Sequence, residues 1–308
     1  MIITGIPFDE KLNIGVLSKV FERKRISNCY KYFWFQAILE NIVEDKVVFT
    51  YDEILNQMIE DAWYMVTEFK LRLGPCNTTD NLEEVVKYIH SKSNISSTAK
   101  RGSVIQYLKE NTDPKIKKYK KCLIENVPYC MQSPFYSSIK NPGQSKVYKI
   151  NEQAHLLYYF VALEGIFSKF KINEEWVDYL IRNRTILLEW VRYNLIGYLQ
   201  DRNPNVPGIV EKIQKPEKRD LRRVSDYWKT IIEIDPKIKE IYQKVSLKDK
   251  PISIDHFVPW QYLSHDELWN LSPTTKNINS MKGNQLPNLY EDFERLAELQ
   301  HKALMMCN

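Results

Sequence analysis

Apolar residues recur at helical spacing through most of the first 200 positions. The clearest stretch covers residues 175–200, where aromatic and aliphatic side chains return every three or four positions with charged residues between them. Similar spacing predicts helices over residues 30–43, 54–73 and 151–170, the second of them ended by Gly74-Pro75. The N-terminal two thirds of the chain is therefore predicted to be helical, with its aromatic residues packed in the core.

The pattern changes in the last hundred residues. Residues 203–208 are rich in Pro, Asn and Gly, and they mark the preferred boundary between a helical domain, 1–204, and a second domain, 205–308. Polar and apolar residues then alternate over 250–255, which predicts a short strand, and Leu271 is placed on a second one. Thr274 or Thr275 is expected to cap a short helix through Lys282, and a last helix is predicted over 289–306 with Phe293, Leu296, Ala297, Leu299 and Leu304 on or near one apolar face.

Composition narrows the class of protein. The chain of 308 residues is 44% hydrophobic and 12% aromatic, which is enough for a sizeable core. No apolar run approaches the roughly 18 residues of a membrane span, and the N-terminus has no secretory signal pattern. Five widely spaced cysteines without a CxxC pair fit a reducing compartment. We therefore expect a cytoplasmic protein with no membrane partner.

Charge permits a polyanionic partner without requiring one. The formal net charge is +5, and basic residues cluster in two runs, 115–121 and 212–223, the second expected to be helical from residue 216. Such runs are more often solvated helix faces than phosphate contacts.

Residues 254–284 concentrate the side chains suited to chemistry. The carboxylate of Asp255 is a hard ligand of the kind Mg²⁺ prefers, and the adjacent imidazole of His256 can accept a proton near neutral pH. Neutral amide oxygens follow at Asn270, Asn277 and Asn279. One carboxylate and one amide would leave a metal ion under-neutralised, which suits a substrate that carries its own negative charge, such as a phosphodiester.

The same residues resemble the HNH endonuclease family. The residues that match its motif are Asp255-His256, Asn270, Asn279 and Lys282. The step of nine residues from Asn270 to Asn279, and of three more to Lys282, is similar to the HNH domain of CRISPR effector nucleases. The phrases DHFVPW and HDELWNLSPTT look like a bacterial HNH subgroup whose nuclease module follows a large helical region.

The resemblance implies a fold and a set of roles. The fold is a mainly α chain, with an N-terminal helical domain followed by a C-terminal ββα-metal module. His256 is then the general base, Asp255 and Asn279 hold Mg²⁺ or Mn²⁺, and Asn270 braces the active-site loop. Asn277 is the alternative to Asn279 as a metal ligand, and the motif spacing favours Asn279. The last motif position is Asn rather than His, which leaves the preferred metal open.

The function implied is metal-dependent hydrolysis of DNA, with duplex DNA favoured. Lys282 is expected to contact a phosphate near the reacting centre, and Lys276 and His265 are further candidates for nucleic-acid contact. The pair His265-Asp266 is expected to cap a turn before Leu268 or to lie along the DNA channel.

Two questions stay open at the level of sequence. The helical domain is either a DNA clamp that uses the basic runs or a sensor or docking domain for a protein partner, and the resemblance favours a bacterial anti-phage or restriction system. The alternatives to a DNA endonuclease are an RNA-cleaving HNH enzyme and a non-catalytic nucleic-acid-binding or docking protein.

Overall fold

Two compact units make up the chain. The computed structural model describes residues 5–75, 77–136, 138–215 and 220–307, and contacts between residues separate Met1–Asn205 from Val206–Asn308. Helices dominate both units, so the prediction of a mainly helical chain is confirmed. No helix among the described residues is long and apolar enough to cross a membrane.

The first unit combines helices with one small sheet. Its helices are α1 (Ile14–Ser18), α2 (Tyr30–Asn41), α3 (Tyr51–Thr67), α4 (Asn81–Lys92), α5 (Ser103–Glu110), α6 (Pro114–Ile124), α7 (Val127–Cys130), α8 (Val147–Asn151), α9 (Glu174–Arg182) and α10 (Arg184–Arg202). Its strands are β1 (Val48–Thr50), β2 (Tyr158–Ala162) and β3 (Lys169–Ile172), which form an antiparallel sheet in the order β1-β3-β2.

Aromatic packing joins the helices of this unit to its sheet. The rings of Trp34 on α2 and Tyr51 on α3 lie 5.6 Å apart, and Trp34 lies at the same distance from Phe170 on β3. A capping box begins α3, because the Thr50 hydroxyl accepts from the Glu53 amide while the Glu53 carboxylate accepts from the Thr50 amide. The helix predicted over 30–43 is confirmed as α2, whereas the one predicted over 54–73 is shifted towards the N-terminus.

The prediction of a helix over residues 151–170 is wrong. Most of this stretch forms the hairpin of β2 and β3, in which Tyr158 pairs with Ile172 and Phe160 with Phe170. The run Tyr-Tyr-Phe-Val is rich in the aromatic and β-branched residues that pack well on a sheet, and this preference outweighs the helical spacing of its apolar positions. The helix predicted over 175–200 is also divided at Asn183, whose side-chain amide donates to the Tyr179 carbonyl.

The second unit is built around a two-stranded hairpin. Its helices are α11 (Ile209–Lys212), α12 (Arg222–Ile234), α13 (Trp260–Leu263), α14 (Lys276–Lys282) and α15 (Asp292–Cys307), and its strands are β4 (Ile252–His256) and β5 (Leu271–Thr275). The two strands and the short helix predicted from the sequence are confirmed, although Thr275 makes no side-chain cap to α14. Residues 216–219, where the helix in the second basic run was expected to begin, lie outside the described residues.

The two faces of the hairpin differ in character. Ile252 and Ile254 pack on an apolar core that Trp228 of α12 and Leu296 and Leu299 of α15 help to form. The Trp228 indole also donates to the Leu271 carbonyl at 3.2 Å. On α15 the buried face is narrower than predicted, because Phe293, Ala297 and Leu304 are exposed.

The opposite face of the hairpin is polar. Ser253 pairs with Thr274 and Asp255 with Ser272, so these four side chains share one face. Helix α14, which follows β5 directly, packs against both strands, and its Asn279 bonds to Ser253. This short connection brings the C-terminal residues of α14 to the end of β4.

Candidate active site

Asp255 lies at the centre of the polar face and is almost fully buried, with 4% of its surface exposed. The Tyr242 hydroxyl donates to its Oδ2 at 2.5 Å, and Lys282 Nζ lies 3.2 Å from the same oxygen. Burial raises the pKa of the Asp255 carboxyl, while the hydrogen bond from Tyr242 and the nearby Lys282 ammonium act to lower it. The site therefore holds a buried carboxylate that is compensated by two donors.

Lys282 is an interior residue of the site. Its side chain is 8% exposed, and its ammonium donates to the His256 carbonyl at 2.7 Å as well as approaching Asp255. The same ammonium lies 5.6 Å from the centre of the Tyr242 ring. Among the described contacts, Lys282 therefore supplies the positive charge nearest to Asp255.

His256 ends β4 and faces the carboxylate of Asp266, a partner that the sequence did not predict. Its Nε2 lies 2.7 Å from Asp266 Oδ1, and its ring packs edge-on against Trp260 with centroids 5.8 Å apart. Asp266 was expected to cap a turn or to line a DNA channel. Because the residues between β4 and β5 fold back over the strand end, they instead place its carboxylate against His256.

Asn270 closes the loop between the strands. It is fully buried, and its side-chain amide accepts from the Val258 amide at 2.8 Å and donates to the Val258 carbonyl at 2.9 Å. Its own carbonyl accepts from the Phe257 amide at 2.8 Å. These bonds hold the residues that follow β4 against the residue that precedes β5, as expected of a residue that braces the loop.

Asn279 is placed beside Asp255 by the packing of α14 on the hairpin. Its Nδ2 donates to Ser253 Oγ at 2.9 Å and to the Ile254 carbonyl at 3.1 Å. These bonds fix the amide so that Oδ1 is the oxygen available as a ligand. Its rival, Asn277, is exposed on the same helix.

The candidates for nucleic-acid contact lie at the edge of this cluster. His265 stacks near Trp269 with ring centres 5.4 Å apart, and the Trp269 ring is half exposed. The His265 Nδ1 accepts a long bond from the Glu267 amide at 3.4 Å, in line with the expected turn cap. Lys276 is exposed at the start of α14.

One lysine of each basic run is buried within the fold. Lys120 is buried, and its ammonium bonds to Asp52 and Asn56 at 2.6 Å. Lys212 is also buried and donates to the Pro207 and Tyr262 carbonyls. These two lysines stabilise the fold, so they are removed from the set of candidate DNA contacts.

Two side chains of the cluster were missed from the sequence. Tyr242 lies 13 residues before Asp255 in a segment without a recognisable motif, so no local signal indicated its role. For Asp266 a signal did exist, since the His265-Asp266 pair stood out, but the partner of its carboxylate is fixed only by the path of the loop.

Comparison with known families identifies the segment that carries this cluster. Residues 239–288 match the family model described as HNH endonuclease, which confirms the resemblance drawn from the motif. These residues are an HNH endonuclease domain, and enzymes of this family hydrolyse phosphodiester bonds in nucleic acids. No curated protein and no solved structure matches the chain.

HNH enzymes are typically metal-dependent, and the donor groups of this site limit which metal ion it could hold. Within the described ranges, no group of three or more His, Cys, Asp or Glu side chains is arranged to hold a metal ion. Asp255 and Asn279 offer one carboxylate and one amide oxygen, and the buried hydroxyls of Ser272 and Thr274 on the same face have no hydrogen-bond partner among the residues that the structure describes. This set fits a Mg²⁺ ion that keeps several waters and takes its remaining ligands from a substrate phosphate.

Proposed function

We propose that this protein is a metal-dependent endonuclease that hydrolyses DNA, with duplex DNA as the favoured substrate. The observation that supports the proposal most strongly is the coincidence of the HNH match with one end of a single hairpin. There Lys282 contacts Asp255 and the His256 carbonyl, and Asn279 bonds to Ser253 and to the Ile254 carbonyl. Such a cluster combines a base, a cation-binding carboxylate and a phosphate-binding ammonium.

Each residue of this chain has a separate task in the proposed reaction. His256 takes a proton from the attacking water, which is the work of a general base near neutral pH. Lys282, whose ammonium lies beside Asp255, contacts the phosphate and offsets its charge. Asn270 keeps the loop in place. In the proposed step water attacks the phosphorus and the bond to the 3′ oxygen breaks, so that the 3′ oxygen leaves, takes up a proton from solvent and becomes a 3′-hydroxyl, while the phosphate stays on the 5′ side.

Asp255 and Asn279 are the proposed ligands of Mg²⁺ or Mn²⁺. The bound ion supplies charge stabilisation for the phosphate and for the leaving oxygen. Asn279 is preferred to Asn277 because its amide is fixed against β4 beside Asp255, whereas Asn277 faces solvent.

For the biological setting we propose a bacterial anti-phage or restriction system, in the cytoplasm. The support for the system is the resemblance of DHFVPW and HDELWNLSPTT to an HNH subgroup with a large helical region. The compartment is supported by the free thiols at Cys29, Cys122, Cys130 and Cys307. The helical unit is proposed to be either a DNA clamp or a sensor or docking domain for a protein partner. In its basic run Lys120 is engaged within the fold, whereas Lys115, Lys117, Lys118 and Lys121 are exposed.

A cleavage assay tests the proposal. Purified protein is mixed with supercoiled plasmid, single-stranded DNA and RNA, each with Mg²⁺, with Mn²⁺ and with EDTA, and His256→Ala is carried as the inactive control. Nicking or linearisation of the plasmid that EDTA and His256→Ala both abolish is the expected result.

Other outcomes separate the alternatives. Cleavage confined to RNA would replace the DNA substrate with RNA while keeping the chemistry. Salt-dependent DNA binding without cleavage under any metal would identify a nucleic-acid-binding protein that has no nuclease activity.

A further inference from the structure

The carboxylate of Asp266 faces the ring of His256 at hydrogen-bond distance. Asp266 Oδ1 lies 2.7 Å from His256 Nε2, and the side chains are 29% and 11% exposed. A distance this short between a partly buried carboxylate and an imidazole is that of a charge-assisted hydrogen bond. The pair joins two segments ten residues apart in sequence.

The chemistry of this contact decides which ring nitrogen serves as the base. An ionised carboxylate only accepts hydrogen bonds, so the neutral imidazole must carry its proton on Nε2. The lone pair is then on Nδ1, which becomes the nitrogen that can accept a proton from water. Trp260 packs against the same ring and limits its rotation about the side-chain bonds.

The loop that carries Asp266 is itself held firmly. Asn270 ties the residues after β4 to the start of β5 through its side-chain amide. Within the loop, Ser264 adopts a left-handed conformation at the end of α13, and its amide bonds to the Trp260 carbonyl at 2.8 Å. The Tyr262 carbonyl accepts from the buried Lys212 at 2.8 Å. Asp266 is therefore presented by a braced segment, as preorganised catalytic groups are.

We infer that Asp266 is the positioning residue of the general base, and that it holds the His256 ring with Nε2 protonated so that Nδ1 receives the proton. This inference rests on the proposed function, since it assigns a partner to the base of that reaction. Asp266 acts through His256 and needs no contact with the substrate.

The test uses the 308-residue protein and five variants. Asp266→Ala removes the carboxylate, Asp266→Glu keeps it on a longer side chain, and His256→Ala with and without Asp266→Ala completes a double-mutant cycle. The neighbouring Glu267→Gln is the matched control, because Glu267 is exposed and its side chain makes no described contact with the cluster.

The expected kinetic result is a loss in kcat without a loss in binding. Asp266→Ala should lower kcat for plasmid cleavage by about 10²-fold and leave KM within about twofold, because a mispositioned base slows proton transfer while the DNA contacts persist. Asp266→Glu should recover about tenfold of that loss, and Glu267→Gln should match the parent protein. In the His256→Ala background, Asp266→Ala should cause no further loss.

A proton NMR measurement provides a readout that is independent of cleavage. The Nε2–H of a ring bonded to a carboxylate should give a downfield signal protected from exchange, present in the parent protein and absent from both His256→Ala and Asp266→Ala. A signal that persists in Asp266→Ala, or a kcat that is unchanged while KM rises, overturns the inference. Failure of the parent protein to cleave any substrate contradicts the proposed function instead, and the NMR comparison still decides whether Asp266 holds the ring.

Discussion

Substitutions of individual side chains in the cluster are expected to lower the cleavage rate for different reasons. Asp255→Asn and Asn279→Ala should weaken metal binding, so raising Mn²⁺ should restore part of the cleavage rate, because Mn²⁺ binds oxygen and nitrogen ligands more readily than Mg²⁺ does. His256→Ala should lower the cleavage rate by about 10²–10⁴-fold, and the rate should stay low at every Mn²⁺ concentration because the variant lacks the base. Nicking rates across a Mn²⁺ titration measure both effects. Rescue of His256→Ala by metal, with no rescue of Asn279→Ala, would mean that the roles are reversed.

Lys282 is expected to matter for stability as well as for cleavage. Its side chain and that of Asp255 are 8% and 4% exposed, and removing one partner of a buried ion pair typically costs about 3–5 kcal/mol. Lys282→Ala should therefore lower the free energy of unfolding by an amount of this order and slow cleavage by about 10–100-fold. Adding Asp255→Asn should recover part of the stability but none of the activity. Urea unfolding and nicking rates measure the two effects, and a parent-like unfolding midpoint for Lys282→Ala would contradict the buried pair.

Some residues of the site could be predicted from their spacing in the sequence, whereas the contacts of others depend on tertiary packing. The sequence alone predicted four site residues, because they follow the motif spacing along one strand–loop–strand–helix segment: Asp255, His256, Asn270 and Asn279. The burial of Lys282 depends on the packing of α14 on β4, which residue spacing does not reveal. Asp266 meets His256 only because the loop folds back, and no periodic pattern describes such a path.

At the scale of elements, the loop between the strands is anchored from outside the hairpin. Lys212 on α11 donates to the Tyr262 carbonyl at the end of α13. Lys212→Met keeps the length of the side chain but removes the charged donor to the Pro207 and Tyr262 carbonyls, and a hydrogen bond to a charged group contributes about 1.5–3 kcal/mol. The unfolding transition of the second unit should shift accordingly, whereas the exposed control Lys248→Met should leave it in place. Equal midpoints of urea unfolding for the two variants would show that the hydrogen bonds of Lys212 add no stability.

A second element-scale feature makes the first unit sensitive to pH. Glu40 on α2 and Asp61 on α3 share Gln57 Nε2, at 2.9 and 2.8 Å, and both contact Arg101. Burial raises the pKa of both carboxyl groups, although the Arg101 guanidinium acts to lower them. The folded protein thus keeps protons that the unfolded chain releases from about pH 4 upward, so this pair makes the free energy of unfolding fall as pH rises.

Replacing Asp61 should flatten that decline. Urea unfolding of Asp61→Asn and of the parent protein at pH 5 and pH 7.5 should show the smaller pH dependence in the variant. Asp178→Asn, whose carboxylate is exposed on α9, serves as the control and should follow the parent. Identical pH slopes for all three proteins would mean that Asp61 is already ionised across this range.

Elements were predicted well where periodicity and packing agree. The helix α2 and the strands β4 and β5 follow their sequence patterns closely. The hairpin of β2 and β3 does not, because its aromatic residues are compatible with both a helix and a strand until β1 provides a third strand to pair with. Non-local pairing of this kind cannot be read from a single segment.

At the scale of the whole molecule, the segment between the two units should be the first site of proteolysis. Asn203 is tied to Arg72 by its side-chain amide, which accepts from the Arg72 amide at 2.8 Å and donates to the Arg72 carbonyl at 3.0 Å, so the end of α10 is protected. Pro204, Asn205, Pro207 and Gly208 are largely exposed. A broad-specificity protease at low concentration should therefore cut within 204–208 and leave a stable helical fragment. Asn203→Ala should move the first cut towards α10, and cleavage confined to residues 133–143 would show that the boundary between the domains lies elsewhere.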